Sequence, residues 1–318
     1  MVAVAAALAV GGIVGATLLQ SRGAKGTAGS PAVTAARPGA PPLALDLGVR
    51  DDAEARAIRK AAVLYNGGHR EAAGRIFARY SSLPARIGAA FAAWPDGSLD
   101  RVKQLVASHP GSALAELHLG WAYYWSGRNA DAARAFRQAL KVEPDSPAAV
   151  SAADVLYRSF APGLPFIVAT AQPPASVTAL PPAKELAALR QAAAKPDADA
   201  KLLYGIALWN LRRPLSAERQ LRAAAALAPN DPTVLTAAAV GAFSKQRPVL
   251  AFSRLGPLTG RFPKAAVVRF HLGVLLLWSR EVAKARRQLR LAIAFEPRSI
   301  YAAQAKKLLV ALASTGTK

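Results

Sequence analysis

The sequence predicts an all-α protein in which helical hairpins stack into an α-α superhelix. Hydrophobic residues make up 53% of the 318 residues, and the surplus is mostly alanine, which favours helices over strands. Only 19% of the residues are charged, so the chain has enough apolar material for a core and is not globally disordered. Small, bulky and proline residues also recur with a period of 34. We therefore expect about six to seven hairpins and a C-terminal capping helix.

The first element is the apolar N-terminus. Residues 2–19 carry no charge and are mostly apolar. As a helix they would span roughly 27 Å, close to the roughly 30 Å hydrocarbon layer of a bilayer. We predict a transmembrane helix or signal anchor over residues 1–20, with a cleaved signal peptide and a soluble helix as alternatives. This predicts a membrane-anchored, single-pass protein.

Residues 21–50 are predicted to be a flexible linker, because proline, glycine and alanine dominate their composition. Arg22 and Lys25 follow the apolar run, and by the positive-inside rule they would keep the rest of the chain in the cytoplasm. A stalk of this composition is, however, typical of a spacer between a bilayer and an outer domain. We favour an extracytoplasmic body and leave the cytoplasmic face open.

The 34-residue period is clearest from Gly120. Small residues follow at +12 and +19 (Ala132 and Ala139), a bulky residue at +16 (Phe136) and proline at +24 (Pro144). The small residues let two antiparallel helices approach closely, the bulky residue fills the space between them, and proline ends the second helix. The later units with the same offsets are Gly205, Ala217, Leu221, Ala224 and Pro229; Ala239, Ala251, Leu255, Leu258 and Pro263; and Gly273, Ala285, Leu289, Ala292 and Pro297.

This pattern resembles the tetratricopeptide repeat. Residues 113–145 carry the family's Leu-Gly pair at Leu119 and Gly120, with Tyr123 and Gly127 in the expected places. The resemblance covers roughly residues 52–314, and we assign residues 51–318 to the repeat domain. It implies helical hairpins that stack on their neighbours, because no single hairpin can bury its own apolar face.

Two places depart from the regular period. Residues 85–93 and 98–109 predict a shortened helix pair. Helices are also expected at 147–160 and 182–194, as the two helices of one unit separated by an insertion over residues 161–181. The insertion contains the apolar run 165–169, for which three roles remain open: an internal plug of the groove, a strand for a partner, or a cover over a gap in the stack.

The resemblance further implies that the first helix of each hairpin lines a concave groove. The groove positions hold apolar and aromatic residues, which are typical anchors of a binding surface. They are Leu117, Trp121, Tyr124, Trp125, Leu202, Ile206, Trp209, Val240, Phe243, Phe270, Val274 and Trp278. We predict a protein-interaction scaffold that binds a partner peptide or helix there. The alternative is that these side chains only pack the core.

A second candidate surface is basic. The chain carries a formal net charge of +22, and its cations concentrate on the second helices, on the predicted convex side. The basic face comprises Arg134, Arg137, Lys141, Arg219, Arg222, Lys284, Arg287 and Arg290. The alternative function is binding of anionic lipid or RNA by this face. The sequence argues against nucleic acid, because the aromatic residues needed for base stacking lie on the opposite side.

Nothing in the sequence indicates an enzyme. Phosphate-binding loops, dinucleotide fingerprints and metalloprotease or nucleophile-elbow motifs are absent, and the chain has no cysteine. We expect no catalytic residues, no metal and no cofactor. His118 and His271 occupy the same position in their repeats, two residues before the glycine, which indicates a recurrent structural role.

Overall fold

The computed structural model describes residues 35–314, which form helices joined by turns and extended segments, with no strand in that range. The all-α prediction is confirmed. The helices are α1 (Ala53–Asn66), α2 (Arg70–Phe77), α3 (Leu83–Ala92), α4 (Ser98–Ser108), α5 (Ala113–Trp125), α6 (Asn129–Val142), α7 (Pro147–Leu156), α8 (Ala175–Thr178), α9 (Pro182–Ala192), α10 (Ala198–Asn210), α11 (Pro214–Leu227), α12 (Pro232–Gly241), α13 (Val249–Leu255), α14 (Leu258–Arg261), α15 (Ala266–Trp278), α16 (Val282–Phe295) and α17 (Ile300–Ser314).

Consecutive helices pack as hairpins, and each hairpin stacks on the next. The hairpins are α1/α2, α3/α4, α5/α6, α10/α11, α12/α13 and α15/α16, and α2, α4, α6, α11 and α16 each pack against the helix that follows. The shortened pair predicted over 85–93 and 98–109 is present as α3 and α4. The predicted capping helix is present as α17, which packs on α15 and α16.

Glycine in the first helix allows close approach of the second, as the repeat pattern predicts. A Cβ atom added at Gly120 would lie 2.5 Å from Cε1 of Phe136, and one at Gly273 would lie 2.9 Å from Cδ2 of Leu289. These distances leave no room for a methyl group without a shift of the neighbour. The period in the sequence therefore reports direct helix-to-helix contacts.

The stack is interrupted after α7. Helix α7 packs on α5 and α6, whereas α9 packs on α10. The expected pairing of helices 147–160 and 182–194 in one unit is wrong, because the intervening chain runs into the following hairpins instead of turning back. The interior accordingly consists of two core clusters, one reaching from Leu43 to Ala152 and the other from Ile167 to Leu308. We call residues 37–156 the first half and residues 160–314 the second half.

The two halves repeat each other. Helices α5 and α6 have the same lengths and spacing as α15 and α16, and residues 118–146 and 271–299 share 13 of 29 residues. Matching contacts accompany the matching sequence. Glu143 accepts a hydrogen bond from the Ala113 N–H (3.4 Å), as Glu296 does from the Ala266 N–H (2.9 Å).

The membrane anchor predicted over residues 1–20 lies outside the described residues, as do residues 21–34. Among residues 35–314 no helix combines the length and apolar character needed to cross a bilayer. On this finding the predicted single-pass, membrane-anchored localisation is corrected and is not retained.

Candidate functional site

The predicted groove residues lie on the first helices, α5, α10, α12 and α15, or directly after α12 in the case of Phe243. None of them is fully exposed. Leu117, Trp121, Leu202, Trp209, Val240, Phe243, Phe270 and Val274 are buried, and Tyr124, Trp125, Ile206 and Trp278 are half-buried. The structure gathers the residues of α5 in the first half and the others in the second half. We call the surface formed by the α5 residues the first groove, and the surface formed by the residues of α10, α12 and α15 the second groove.

An extended segment of the chain occupies the first groove. We call residues 37–47 the first strap. Several hydrogen bonds hold its main chain, among them three to positions that recur later in the chain: the Arg37 N–H donates to the Trp125 carbonyl (2.8 Å), the Tyr65 hydroxyl donates to the Pro41 carbonyl (2.7 Å), and the Ala44 N–H donates to His118 Nε2 (3.4 Å). The Leu43 side chain is 4% exposed and anchors the strap in the core of the first half.

A second extended segment, residues 161–171, occupies the second groove in the same manner. In this second strap, the Ala161 N–H donates to the Trp278 carbonyl (2.8 Å), the Trp209 Nε1–H donates to the Pro165 carbonyl (2.6 Å), and the Val168 N–H donates to His271 Nε2 (3.0 Å). Ile167 is 4% exposed. These three hydrogen bonds are at positions that correspond to the three in the first strap.

The straps also share sequence. Residues 38–43 read PGAPPL and residues 162–167 read PGLPFI, so both follow the pattern Pro-Gly-X-Pro-X-aliphatic. Gly39 and Gly163 adopt φ angles of 76° and 73°. Side-chain-bearing residues rarely adopt this left-handed conformation, and glycine therefore allows the bend that leads each strap into its groove.

These segments change two expectations. The part of the predicted flexible linker that the structure describes is held by hydrogen bonds and buries Leu43 and Leu47. It is therefore not a free spacer. The insertion takes the first of its three open roles, since residues 165–169 fill the groove of their own chain. Groove-filling was missed for residues 37–47, although the repeated Pro-Gly-X-Pro pattern was present in the sequence.

The two histidines set the register of the straps. His118 Nδ1 pairs with the Leu114 carbonyl (2.7 Å) and His271 Nδ1 with the Val267 carbonyl (2.8 Å). A carbonyl can only accept, so each Nδ1 carries the proton and each Nε2 is the acceptor for the strap N–H. Burial lowers the pKa of both histidines to about 4. Both rings are therefore neutral at physiological pH, as this arrangement requires.

Each groove also contains one donor that its strap does not satisfy. The Nε1–H groups of Trp125 and Trp278 are buried and have no hydrogen-bond partner among the described residues. The two tryptophans are equivalent in the repeat, five residues after Gly120 and Gly273. Neither strap supplies an acceptor to this indole N–H.

All eight residues of the basic face are exposed. Arg134 forms an ion pair with Asp131, and Lys284 forms one with Glu281 (3.1 Å). Their exposure leaves them accessible to an anionic partner. Binding of anionic lipid or RNA by this face stays a prediction.

The arrangement around the straps offers recognition of a peptide main chain. Among residues 35–314, no group of three or more histidine, aspartate or glutamate residues could hold a metal ion. What the grooves present are fixed hydrogen-bonding atoms beside apolar pockets. Such a surface can hold an extended peptide in one register.

Comparison with known families supports the repeat assignment. Residues 113–146 match the model of the tetratricopeptide repeat. The matched segment comprises α5 and α6, the hairpin that lines the first groove. A search of curated proteins gave no match.

Several solved tetratricopeptide-type structures resemble the chain weakly. YrrB, described as having an unusual peptide-binding site, is 16% identical, and the match covers 80% of this chain and 98% of YrrB at a TM-score of 0.29. PilW, a type IV pilus biogenesis factor, is 17% identical, with 82% and 100% covered and a TM-score of 0.32. Yeast Tom70 is 12% identical, with 83% and 54% covered and a TM-score of 0.33. Likenesses this weak say nothing about what the chain binds.

Proposed function

We propose that this chain is a protein-interaction scaffold whose two concave grooves bind extended apolar peptide segments of a partner. Proteins with tetratricopeptide repeats generally mediate protein–protein interactions, and their scaffold is typically non-enzymatic. The observation that carries the proposal is that each groove holds an extended segment through the same three main-chain hydrogen bonds.

An extended peptide suits these grooves better than a helix. The strap groups that form hydrogen bonds are main-chain N–H and C=O groups, for instance the N–H of Ala44 and the carbonyl of Pro41. Within a helix these groups are already used by the helix itself. A helical partner would leave the histidine acceptor and the Tyr65 or Trp209 donor unpaired, and that costs free energy.

Selection from a random peptide library displayed on phage tests the proposal, with the full chain as bait at high salt. We expect enrichment of extended, apolar, proline-containing peptides. The groove variant His118→Phe with His271→Phe, which removes both acceptors but keeps aromatic rings, should lose the enrichment. Arg137→Ala on the basic face serves as the matched control and should retain it.

Two results would contradict this function. One is equal enrichment by the groove variant, and the other is enrichment of acidic peptides that disappears at high salt, since screening weakens exposed charge pairs. The second result would instead favour the basic face as the binding surface.

A further inference from the structure

The two straps indicate which peptides the grooves prefer. Building on the proposed function, we propose that each groove recognises the sequence Pro-Gly-X-Pro-X-aliphatic followed by any residue other than proline. The partner is then a protein that carries this motif in an extended segment. The chain's own two copies occupy the grooves until such a partner displaces them.

Every motif position has an observation that explains it except the first proline, which is exposed in both straps. The glycine takes the left-handed bend, at φ 76° in the first strap and 73° in the second. The second proline is buried in both straps, and its carbonyl accepts from Tyr65 or Trp209. The aliphatic side chain, Leu43 or Ile167, enters the core.

The residue after the aliphatic position must keep its N–H, because that group donates to His118 or His271. Proline has no N–H and is therefore excluded there. The X positions, in contrast, differ between the straps: Ala40 and Pro42 in the first correspond to Leu164 and Phe166 in the second. The two grooves thus agree on the motif positions and disagree elsewhere.

Two features of the straps favour their displacement by a partner over a permanent place in the groove. Neither is part of a helical hairpin, since one precedes α1 and the other lies between α7 and α8. Each also leaves an indole N–H, that of Trp125 or Trp278, buried without an acceptor. A peptide that supplies an acceptor at this point would satisfy the groove better than the strap does.

Competition sets how tightly a partner binds the intact chain. A strap tethered beside its groove acts at a high effective concentration and weakens any peptide from outside. A substitution that removes one strap hydrogen bond but leaves the groove walls unchanged should therefore strengthen binding in trans. Ala44→Pro is such a change, because it deletes the N–H that reaches His118 and alters no side chain outside the strap.

The test is a fluorescence-anisotropy titration with a labelled peptide of residues 37–47, RPGAPPLALDL. We expect Ala44→Pro in the full chain to bind it about tenfold more tightly than the unchanged chain, the equivalent of one hydrogen bond. A control peptide with proline at the position of Ala44 should bind about tenfold more weakly. Adding His118→Phe should remove the gain, whereas Arg137→Ala should not.

Val168→Pro provides the same test in the second groove, should Ala44→Pro reduce folding as judged by circular dichroism. Equal affinity for the motif and control peptides would overturn the motif. So would a dimer of the variant that the peptide does not dissociate, since a second copy would then be the occupant. If the motif peptide fails while library selection still yields other groove-dependent apolar peptides, the motif alone falls and the proposed function stands.

Discussion

Each half of the molecule holds an extended strap, but the two halves use different side chains to do so. In the first half, Asn66 bonds both the N–H and the carbonyl of Leu43 (3.2 and 3.0 Å), and the Arg37 guanidinium lies 3.4 Å from the centre of the Tyr124 ring. In the second half, Phe166 packs against Phe270 and Trp278 instead, with ring centres 5.8 and 5.7 Å apart.

What the halves share is therefore main-chain recognition. The three hydrogen bonds to the strap backbone are present in both, whereas polar clamps hold the first strap and aromatic rings hold the second. Main-chain bonds fix the path and register of a segment, and side-chain contacts adjust how firmly it stays. The comparison distinguishes the hydrogen bonds that the halves share from the contacts in which they differ. Three sets of experiments test this distinction.

The largest expected effect is acid destabilisation through the histidines. The pKa of His118 and of His271 falls to about 4 in the folded chain, against an unfolded value of about 6.5. The unfolded state therefore takes up protons first, and stability falls as pH decreases from about 6.5 to about 4. Each histidine should lower the free energy of unfolding by about 3 kcal/mol over this pH range. Urea unfolding at several pH values measures it.

His118→Gln is the matched control, because glutamine does not titrate. It should remove about half of the pH dependence, and His271→Gln should remove the other half. A variant that keeps the full pH dependence would show that neither buried ring is responsible. Unequal losses would show that the halves differ in how completely they exclude water.

The next prediction compares Gly120 and Gly273, two glycines at which the helices of a hairpin are in close contact. Gly120→Ala drives a methyl group into the Phe136 ring, a rigid neighbour, whereas Gly273→Ala meets the flexible end of Leu289. We expect a loss of about 3 kcal/mol for the first and about 1 kcal/mol for the second, because a leucine can change rotamer and a ring cannot give way. Denaturant unfolding followed by circular dichroism measures both. Equal losses would contradict this difference between the halves.

The smallest effect concerns the asparagines that end α1 and α10. Both side chains are exposed, but Asn66 forms two hydrogen bonds with the first strap, whereas no hydrogen bond joins the Asn210 side chain to the described part of the second strap. Asn66→Ala should cost about 1–2 kcal/mol, and Asn210→Ala less than about 0.5 kcal/mol. Hydrogen exchange should show faster exchange of the Leu43 amide only in the first variant. Similar behaviour of both variants would mean that the clamp contributes little.

The sequence predicted the helical stack well because its determinants are local or strictly spaced. Gly120, Phe136 and Pro144 belong to one hairpin, and their spacing specifies how its two helices meet. A serine directly before a helix is likewise a local signal, and the Ser299 hydroxyl before α17 accepts a hydrogen bond from the Ala302 N–H (3.1 Å). Contacts within one hairpin give rise to a periodic pattern in the sequence, and this pattern is visible without a structure.

The straps could not be predicted in the same way. Residues 37–47 have the composition of a linker, and Leu43 has no periodic neighbours that would mark it as buried. The partners of this strap lie far along the chain. His118 accepts a hydrogen bond from the N–H of Ala44, the residue after Leu43, and Tyr65 donates one to the carbonyl of Pro41. The broken unit around α7 was misjudged for a related reason, since spacing alone does not show which neighbour a helix packs against.

One contact of the first strap reaches beyond its own groove. Asp46 forms a salt bridge (3.0 Å) with Arg213, which directly precedes α11 and also donates to the Asp145 carbonyl (3.0 Å). Removal of this strap from its groove would therefore break a salt bridge that joins the first half to the second. A peptide that displaces the first strap would therefore release the Arg213 guanidinium from Asp46 at the start of α11, a helix of the second half.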